Sequence, residues 1–205
     1  GENHQMKLYI SYLSPYVRKV RMVVIEKGLS DQVEMTESAP YDKPDELVNA
    51  NPLSKVPALI RDDGTSLFDS PVICEYLDSL TDVNPLLPAS GEARWQVLRL
   101  LALSDGITDA AYLSTMERRR PESEQSDDWV AAQRGKIARG LDALEKDTPA
   151  IDAAINLGAL GLGAALGYVD LRHGDMNWRD TRPGLASWFE ALSTRESFSE
   201  TVPPA

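Results

Sequence analysis

The sequence predicts an α/β domain followed by an all-helical domain, and a few observations carry that prediction. The chain opens as strand, helix, strand between Lys7 and Met35. A short hairpin running straight into a helix follows between Asn51 and Tyr76. Beyond Gly91 the apolar residues recur at the three-and-four spacing of helices rather than alternating like strands.

Lys7 to Ser11 alternates as a half-buried strand does, with Leu8 and Ile10 on one face. Ser14-Pro15 then supplies a helix start, with serine at the cap and proline at the first helical position, where its missing N–H costs nothing. The helix runs to about Glu26. Val17, Val20 and Val24 form its buried stripe, Arg18, Lys19 and Arg21 take the other faces, and Gly28 ends it. Val33 to Met35 is a second strand, which the right-handed crossover rule makes parallel to the first. Pro40 to Pro52 reads as an irregular polar connection. A Val56-Pro57 step opens the strand Ala58 to Arg61, Asp62-Asp63-Gly64 turns the chain, and Ser66 to Phe68 returns. Asp69-Ser70-Pro71 repeats the cap-plus-proline start for the next helix. The stretch Thr81 to Gly91, with Pro85, Pro88 and Gly91, is the boundary, giving domains over 6–81 and 91–205. Helices are then expected over Glu92 to Arg120, Ser126 to Glu145, Asn156 to His173, and about Pro183 to Arg195.

A chain of 205 residues can bury a core that needs no staples. Its formal net charge of -11, with no basic run longer than Arg118-Arg119-Arg120, argues against a nucleic-acid partner. One cysteine, Cys74, excludes an intrachain disulfide and fits a reducing compartment. Cys74 shares a helical face with Ser70, Ile73 and Leu77, so it reads as core. The longest apolar candidate, Leu157 to Val169, is too short to span a membrane, and its Gly158, Gly161, Gly163 and Gly167 read as small-residue helix packing. Gly1 to Gln5 lacks the layout of a signal peptide, so the expected location is the cytoplasm, away from membranes. His4 and His173 lack ligand spacing, and no metal site is expected.

The chemistry concentrates around Asn51 to Tyr76. A proline just before a strand leaves a neighbour's backbone able to pair with an extended ligand, and a cis bond there would fix the bend. The helix start at Ser70 offers unpaired amides to a carboxylate. Strand edge and helix start together make a peptide-binding corner. Ser14 sits at another helix start, where the local field favours a thiolate over a thiol; its alternative role is a helix cap alone.

The motifs SYLSPYVRKV (Ser11 to Val20), NPLSKVP (Asn51 to Pro57) and FDSPVICEYL (Phe68 to Leu77) resemble those of the cytosolic glutathione S-transferases, in that family's order and spacing. The resemblance covers nearly the whole chain. It implies a thioredoxin-like first domain, an all-helical second domain contributing the electrophile pocket and dimer interface, glutathione as co-substrate, and detoxification chemistry in a homodimer. Ser14 then corresponds to the residue that holds glutathione's thiolate, in the serine-type manner of bacterial members, with Ser11 the other candidate donor. A hydrogen bond to charged sulfur contributes on the order of 1.5–3 kcal/mol, or about one to two pKa units. Related folds place a cysteine where Ser14 stands, so a mixed disulfide cannot form here. Val56 and Pro57 would bind the cysteinyl backbone. Ser70 would take the γ-glutamyl carboxylate and Asp69 its ammonium, although the family often has the longer Glu or Gln before this serine. Lys43 or Lys55 would neutralise the glycyl carboxylate, or remain solvated.

On the first long helix Trp95, Leu98, Ala102, Asp105 and Asp109 share a face, so two carboxylates continue an apolar stripe. Gly106 beside them points to close approach of another helix. In the family an acid placed like Asp105 reaches a partner's γ-glutamyl ammonium; a salt bridge or solvent contact is the alternative. Tyr12, Tyr112, Met116 and Arg119, with Tyr168 and Trp178, would line a pocket for a small-molecule electrophile, or pack as core and surface. One departure stands out. The family's last-domain capping box has an acid three residues after its cap, whereas here Asn156 is followed by Ala159, which cannot return the second hydrogen bond. The same thiolate would also serve a glutathione-dependent isomerase or peroxidase. Non-catalytic relatives that bind protein partners usually lose the Ser14 and Asp69-Ser70 chemistry, which this chain keeps.

Overall fold

In the computed structural model, which describes residues 5–148 and 155–204, β1 (Met6–Ile10) organises the first part of the chain. It is followed by α1 (Pro15–Glu26), β2 (Val33–Glu37), α2 (Asp45–Ala50), β3 (Ala58–Ile60), β4 (Ser66–Leu67) and α3 (Ser70–Ser79). The strands form a four-stranded sheet in the order β2-β1-β3-β4. β2 runs parallel to β1, as a right-handed crossover through α1 requires, while β3 and β4 are antiparallel to their neighbours. This is the thioredoxin-like arrangement. His4, weighed above as a metal ligand, lies outside the described residues.

α1 starts at Ser14-Pro15 and ends at Gly28, whose φ of +68° is the left-handed conformation glycine adopts without cost. Its valine stripe is fully buried, but Arg18 and Lys19 are buried too, against the expectation that they face solvent. The reason is distant in sequence. Among the described residues, 196–204 group with 5–87 as one compact unit, leaving those from 88 to 195 as the other. The short helix α8 (Glu196–Ser199) lies on α1. The Arg18 guanidinium sits 3.9 Å over the Phe198 ring. It donates to Phe198 O at 3.0 Å and Thr201 Oγ1 at 3.2 Å. Burial, with Arg21 nearby, lowers the Arg18 pKa to about 10. The expected span 91–205 therefore differs from the helical unit at its end.

The stretch Pro40 to Pro52, read as irregular, contains α2. Its Leu47 and Ala50 pack on Tyr9 and Ala58, covering one face of the sheet. Lys27 is buried and pairs with Asp78 at 2.9 Å. The Asp78 carboxylate also accepts from the amides of Leu86 and Leu87, which shapes the chain after α3. Cys74 is buried on the inner face of α3, as the spacing predicts.

The helical unit consists, among the described residues, of α4 (Gly91–Arg118), α5 (Asp127–Lys146), α6 (Leu157–His173) and α7 (Pro183–Ser193), with short 3₁₀ turns between them. α6 is buried along most of its length and packs mainly on α4. A Cβ on Gly158 would lie 2.8 Å from Val97 O and 2.9 Å from the Leu100 side chain, so only glycine permits this approach. Asn156 Oδ1 caps α6 by accepting from Ala159 N at 2.9 Å, and Ala159 itself is fully buried. α7 is capped by a residue distant in sequence: the Glu145 carboxylate accepts from Gly184 N and Leu185 N at 2.9 and 2.7 Å. Among the described residues no helix is long and apolar enough to cross a membrane.

Candidate functional site

Strand register brings the three motif segments to one end of the sheet. Ala58 pairs with Tyr9, so Val56 and Pro57, just before it, lie beside the end of β1 from which the chain leaves toward Ser14. β4 pairs antiparallel with β3, Ser66 opposite Ile60 and Leu67 opposite Leu59. Phe68, Asp69 and Ser70 therefore continue to that same end.

Ser14 has extended backbone angles and its Oγ accepts from Val17 N at 3.2 Å, so it is a helix cap. The two roles weighed for it are compatible. A hydroxyl that accepts from an amide keeps its own proton to donate, and Ser14 is only half-buried. Its amide donates to Ser11 O at 3.1 Å, which closes the loop between β1 and α1.

The Val56–Pro57 peptide bond is cis. Among the described residues the Val56 N–H and C=O make no backbone hydrogen bond, which leaves both for an extended ligand. Asn51 shapes this loop, and the sequence reading passed over it. It is buried; its Oδ1 accepts from Leu53 N at 3.0 Å and its Nδ2 donates to Lys55 O at 3.1 Å. The signal was present, since Asn-Pro commonly begins a turn built on the asparagine side chain.

Asp69 is exposed and caps α3 with no side-chain cap bond, leaving its carboxylate available. Ser70 is 2% exposed and is the first residue of α3. Its amide belongs to the first turn, where the helix field favours an anion. Lys43 and Lys55 are both exposed. Tyr12 is at the surface, with the Arg21 guanidinium 4.8 Å over its ring. Desolvation lowers the Arg21 pKa.

The remaining candidates lie on α4. Tyr112 and Met116 are half-buried and Arg119, just past the helix end, is exposed. Tyr168 and Trp178 are buried: Trp178 donates to Asp170 Oδ1 at 2.8 Å and meets Phe189 edge-on at 5.8 Å. These two are core residues rather than pocket walls. The stripe containing Asp105 is not the buried one. Val97, Leu101, Ser104, Ile107 and Ala111 face inward, whereas Trp95 is 62% exposed and Asp105 is half-buried on the outer side. Gly106 has open space where a Cβ would stand, so no helix of this unit approaches it among the described residues.

The glutathione S-transferase N-terminal domain matches residues 13–80 of the chain, and the glutathione S-transferase C-terminal domain matches residues 127–191. The GST-like protein YibF of Escherichia coli K12 is 38% identical over 202 residues, covering 97% of this chain and 99% of that protein. A glutathione transferase family member from Pseudomonas fluorescens Pf-5, solved with bound glutathione, superposes with a TM-score of 0.95 at 40% identity, covering 98% of this chain and 100% of the other. A second structure from that organism, holding S-(propanoic acid)-glutathione, gives a TM-score of 0.89 at 38% identity over 98% of both chains. The chain belongs to the glutathione S-transferase family.

Proposed function

We propose that the protein is a glutathione transferase that activates the thiol of bound glutathione for attack on an electrophilic small molecule. The observation that carries this reading is the register that gathers Ser14, Val56 and Ser70 at one sheet end. Val56 pairs with the cysteinyl backbone of glutathione, beside Pro57. The Ser70 hydroxyl and amide take the γ-glutamyl carboxylate, and Asp69 takes its ammonium. The exposed Lys43 and Lys55 supply countercharge for the glycyl carboxylate. Ser14 donates to the sulfur, which favours thiolate at neutral pH by about one to two pKa units. The thiolate attacks the electrophilic carbon; a sulfur–carbon bond forms, and the leaving group departs with its electron pair. Tyr12, Tyr112, Met116 and Arg119 are the residues assigned to the electrophile.

The bound glutathione of the Pseudomonas fluorescens relative supports the co-substrate, and its S-(propanoic acid)-glutathione complex supports an acid-bearing partner for the sulfur. We assign the outer face of α4, with exposed Trp95 and Leu113 beside Leu98, Ala102 and Gly106, to a homodimer interface. Asp105 lies within that face and would reach a partner's glutathione. Light scattering tests the dimer, since Trp95→Glu should yield a monomer. Residence in the cytoplasm accords with a thiol co-substrate.

Calorimetric titration of glutathione into the protein and into Ser70→Ala tests the site. Micromolar to low-millimolar binding that the substitution abolishes supports it; absence of binding by the unsubstituted protein sinks the enzyme reading. Turnover of an aryl halide, a hydroperoxide and a maleyl acid then separates transfer from peroxide reduction and isomerisation.

A further inference from the structure

Among the described residues, the buried side-chain atoms without a hydrogen-bond partner are Arg21 Nε, Ser114 Oγ and Arg172 Nε, and the last two line the same depression in the helical unit. Ser114 is 0% exposed. Its isolation is specific. Ser104, Thr108 and Thr115 on the same helix donate back to the carbonyl four residues earlier, at 2.8, 3.0 and 2.8 Å, the usual way a helical hydroxyl is satisfied. Ser114 does not.

The half-open depression holds about 260 Å³ and is also lined by Arg118, Arg119, Arg134, His173 and Asp175. Asp127 pairs with Arg118 at 2.7 Å, and Asp175 pairs with Arg134 at 2.7 Å. Among the described residues Arg119 and Arg172 form no ion pair. His173 Nε2 lies 2.9 Å from Ala111 O, so that nitrogen carries a proton and is not an acceptor. A chain of net charge -11 thus gathers guanidinium groups at one point with too few acids to match them. A water molecule would satisfy Ser114 but bring no negative charge to half-buried Arg172, whose Nε has no partner; Arg119 is exposed and hydrated. An oxyanion satisfies both, because guanidinium and hydroxyl donors converge on its lone pairs. The volume lies just below the roughly 300 Å³ at which ordinary ligand pockets begin, which suits a small acid better than a cofactor.

We infer that the helical unit carries a second binding site, for a small oxyanion-bearing molecule, in which Arg172 and Ser114 supply buried donors and Arg119 the countercharge. The site uses none of the residues assigned to glutathione and shares only Arg119 with those assigned to the electrophile. A carboxylate and a phosphate monoester present the same chemistry to it.

The test is calorimetric titration of succinate and, separately, inorganic phosphate into the full-length protein, with and without saturating glutathione. The variants are Ser114→Ala, Arg172→Gln and Arg172→Lys. At least one anion should bind and weaken as sodium chloride is raised. Arg172→Gln should weaken it by about tenfold or more and Ser114→Ala by about three- to tenfold, with Arg172→Lys retaining much of the affinity. Succinate binding alone identifies a carboxylate site, and phosphate binding alone a phosphate site. Glutathione affinity should stay unchanged in Arg172→Gln, which also reports that the variant is folded. Absence of binding by both anions, or binding indifferent to Arg172 and Ser114, overturns the inference. Loss of glutathione binding by the unsubstituted protein would instead count against the transferase reading alone.

Discussion

The sheet end of the first unit and the α4 region of the helical unit build the groups proposed to bind ligands in opposite ways. At the sheet end the groups belong mostly to backbone: the Val56 N–H and C=O, the Ser70 amide, and a Ser14 hydroxyl held by its own cap bond. Their positions follow from strand register and helix starts. Around α4 the groups are long side chains, among them Arg119, Arg172 and Met116, whose placement depends on which helix faces pack together. A backbone-built site fixes one ligand, and a side-chain-built site can vary while the fold stays constant. On the proposed reading, that contrast would let the co-substrate stay fixed while the second substrate varies.

The largest effect expected concerns packing. Gly158→Val should destabilise the protein by about 2–3 kcal/mol in denaturant unfolding, since the new side chain meets Val97 O and Leu100. Little change would show that α6 can withdraw from α4. Next, Ser14→Ala should lower kcat/KM by about 10–100-fold through loss of the thiolate hydrogen bond. Glutathione KM should change little, and stability should fall by about 0.5–2 kcal/mol through the lost cap. An equal loss of stability with undiminished turnover would make Ser14 a cap only.

Smaller effects sharpen the contrast. Asn51→Ala removes the bonds to Leu53 N and Lys55 O and should weaken glutathione by about fivefold, read by calorimetry, because the loop carrying Val56 loosens. Met116→Ala should leave glutathione affinity unchanged while altering the ranking of electrophiles by kcat/KM. The smallest effect is one of titration. The hydrogen bond from Arg134 lowers the Asp175 pKa below its ordinary 3.8. A lowered carboxylate pKa stabilises the fold above the ordinary value, and that contribution is lost as pH falls through the lowered one. Carboxyl NMR should show Asp175 returning toward 3.8 in Arg134→Gln.

How much of this was legible in the sequence follows from the same contrast. Ser14-Pro15, Val56-Pro57 and Gly28 mark backbone events, and each stands where its residue type predicts, whereas α3 begins one residue earlier than Ser70-Pro71 suggests, with Asp69 at the cap and Ser70 already in the first turn. α2 was missed because six residues hold too little period to register, although Asp45 and Glu46 in its first turn and buried Leu47 and Ala50 three apart were its signature. The burial of Arg18 could not be read locally, since Phe198 and Thr201 lie about 180 residues away in sequence. α4 misled because two of its faces are apolar. Trp95, Leu98 and Ala102 form one stripe, and Val97, Leu101 and Ile107 the other; only packing against Gly158 of α6 settles which turns inward. The unsatisfied pair Ser114 and Arg172 was likewise hidden, because it joins α4 to the end of α6.

The central claim is that Ser14 holds the sulfur of bound glutathione as a thiolate, and ultraviolet titration of the bound thiol tests it most directly. The thiol in the complex should ionise about one to two units below its ordinary value near 8.5, and Ser14→Ala should return it most of the way. A bound thiol that ionises near 8.5 in the unsubstituted protein, or one equally depressed in Ser14→Ala, would contradict the account.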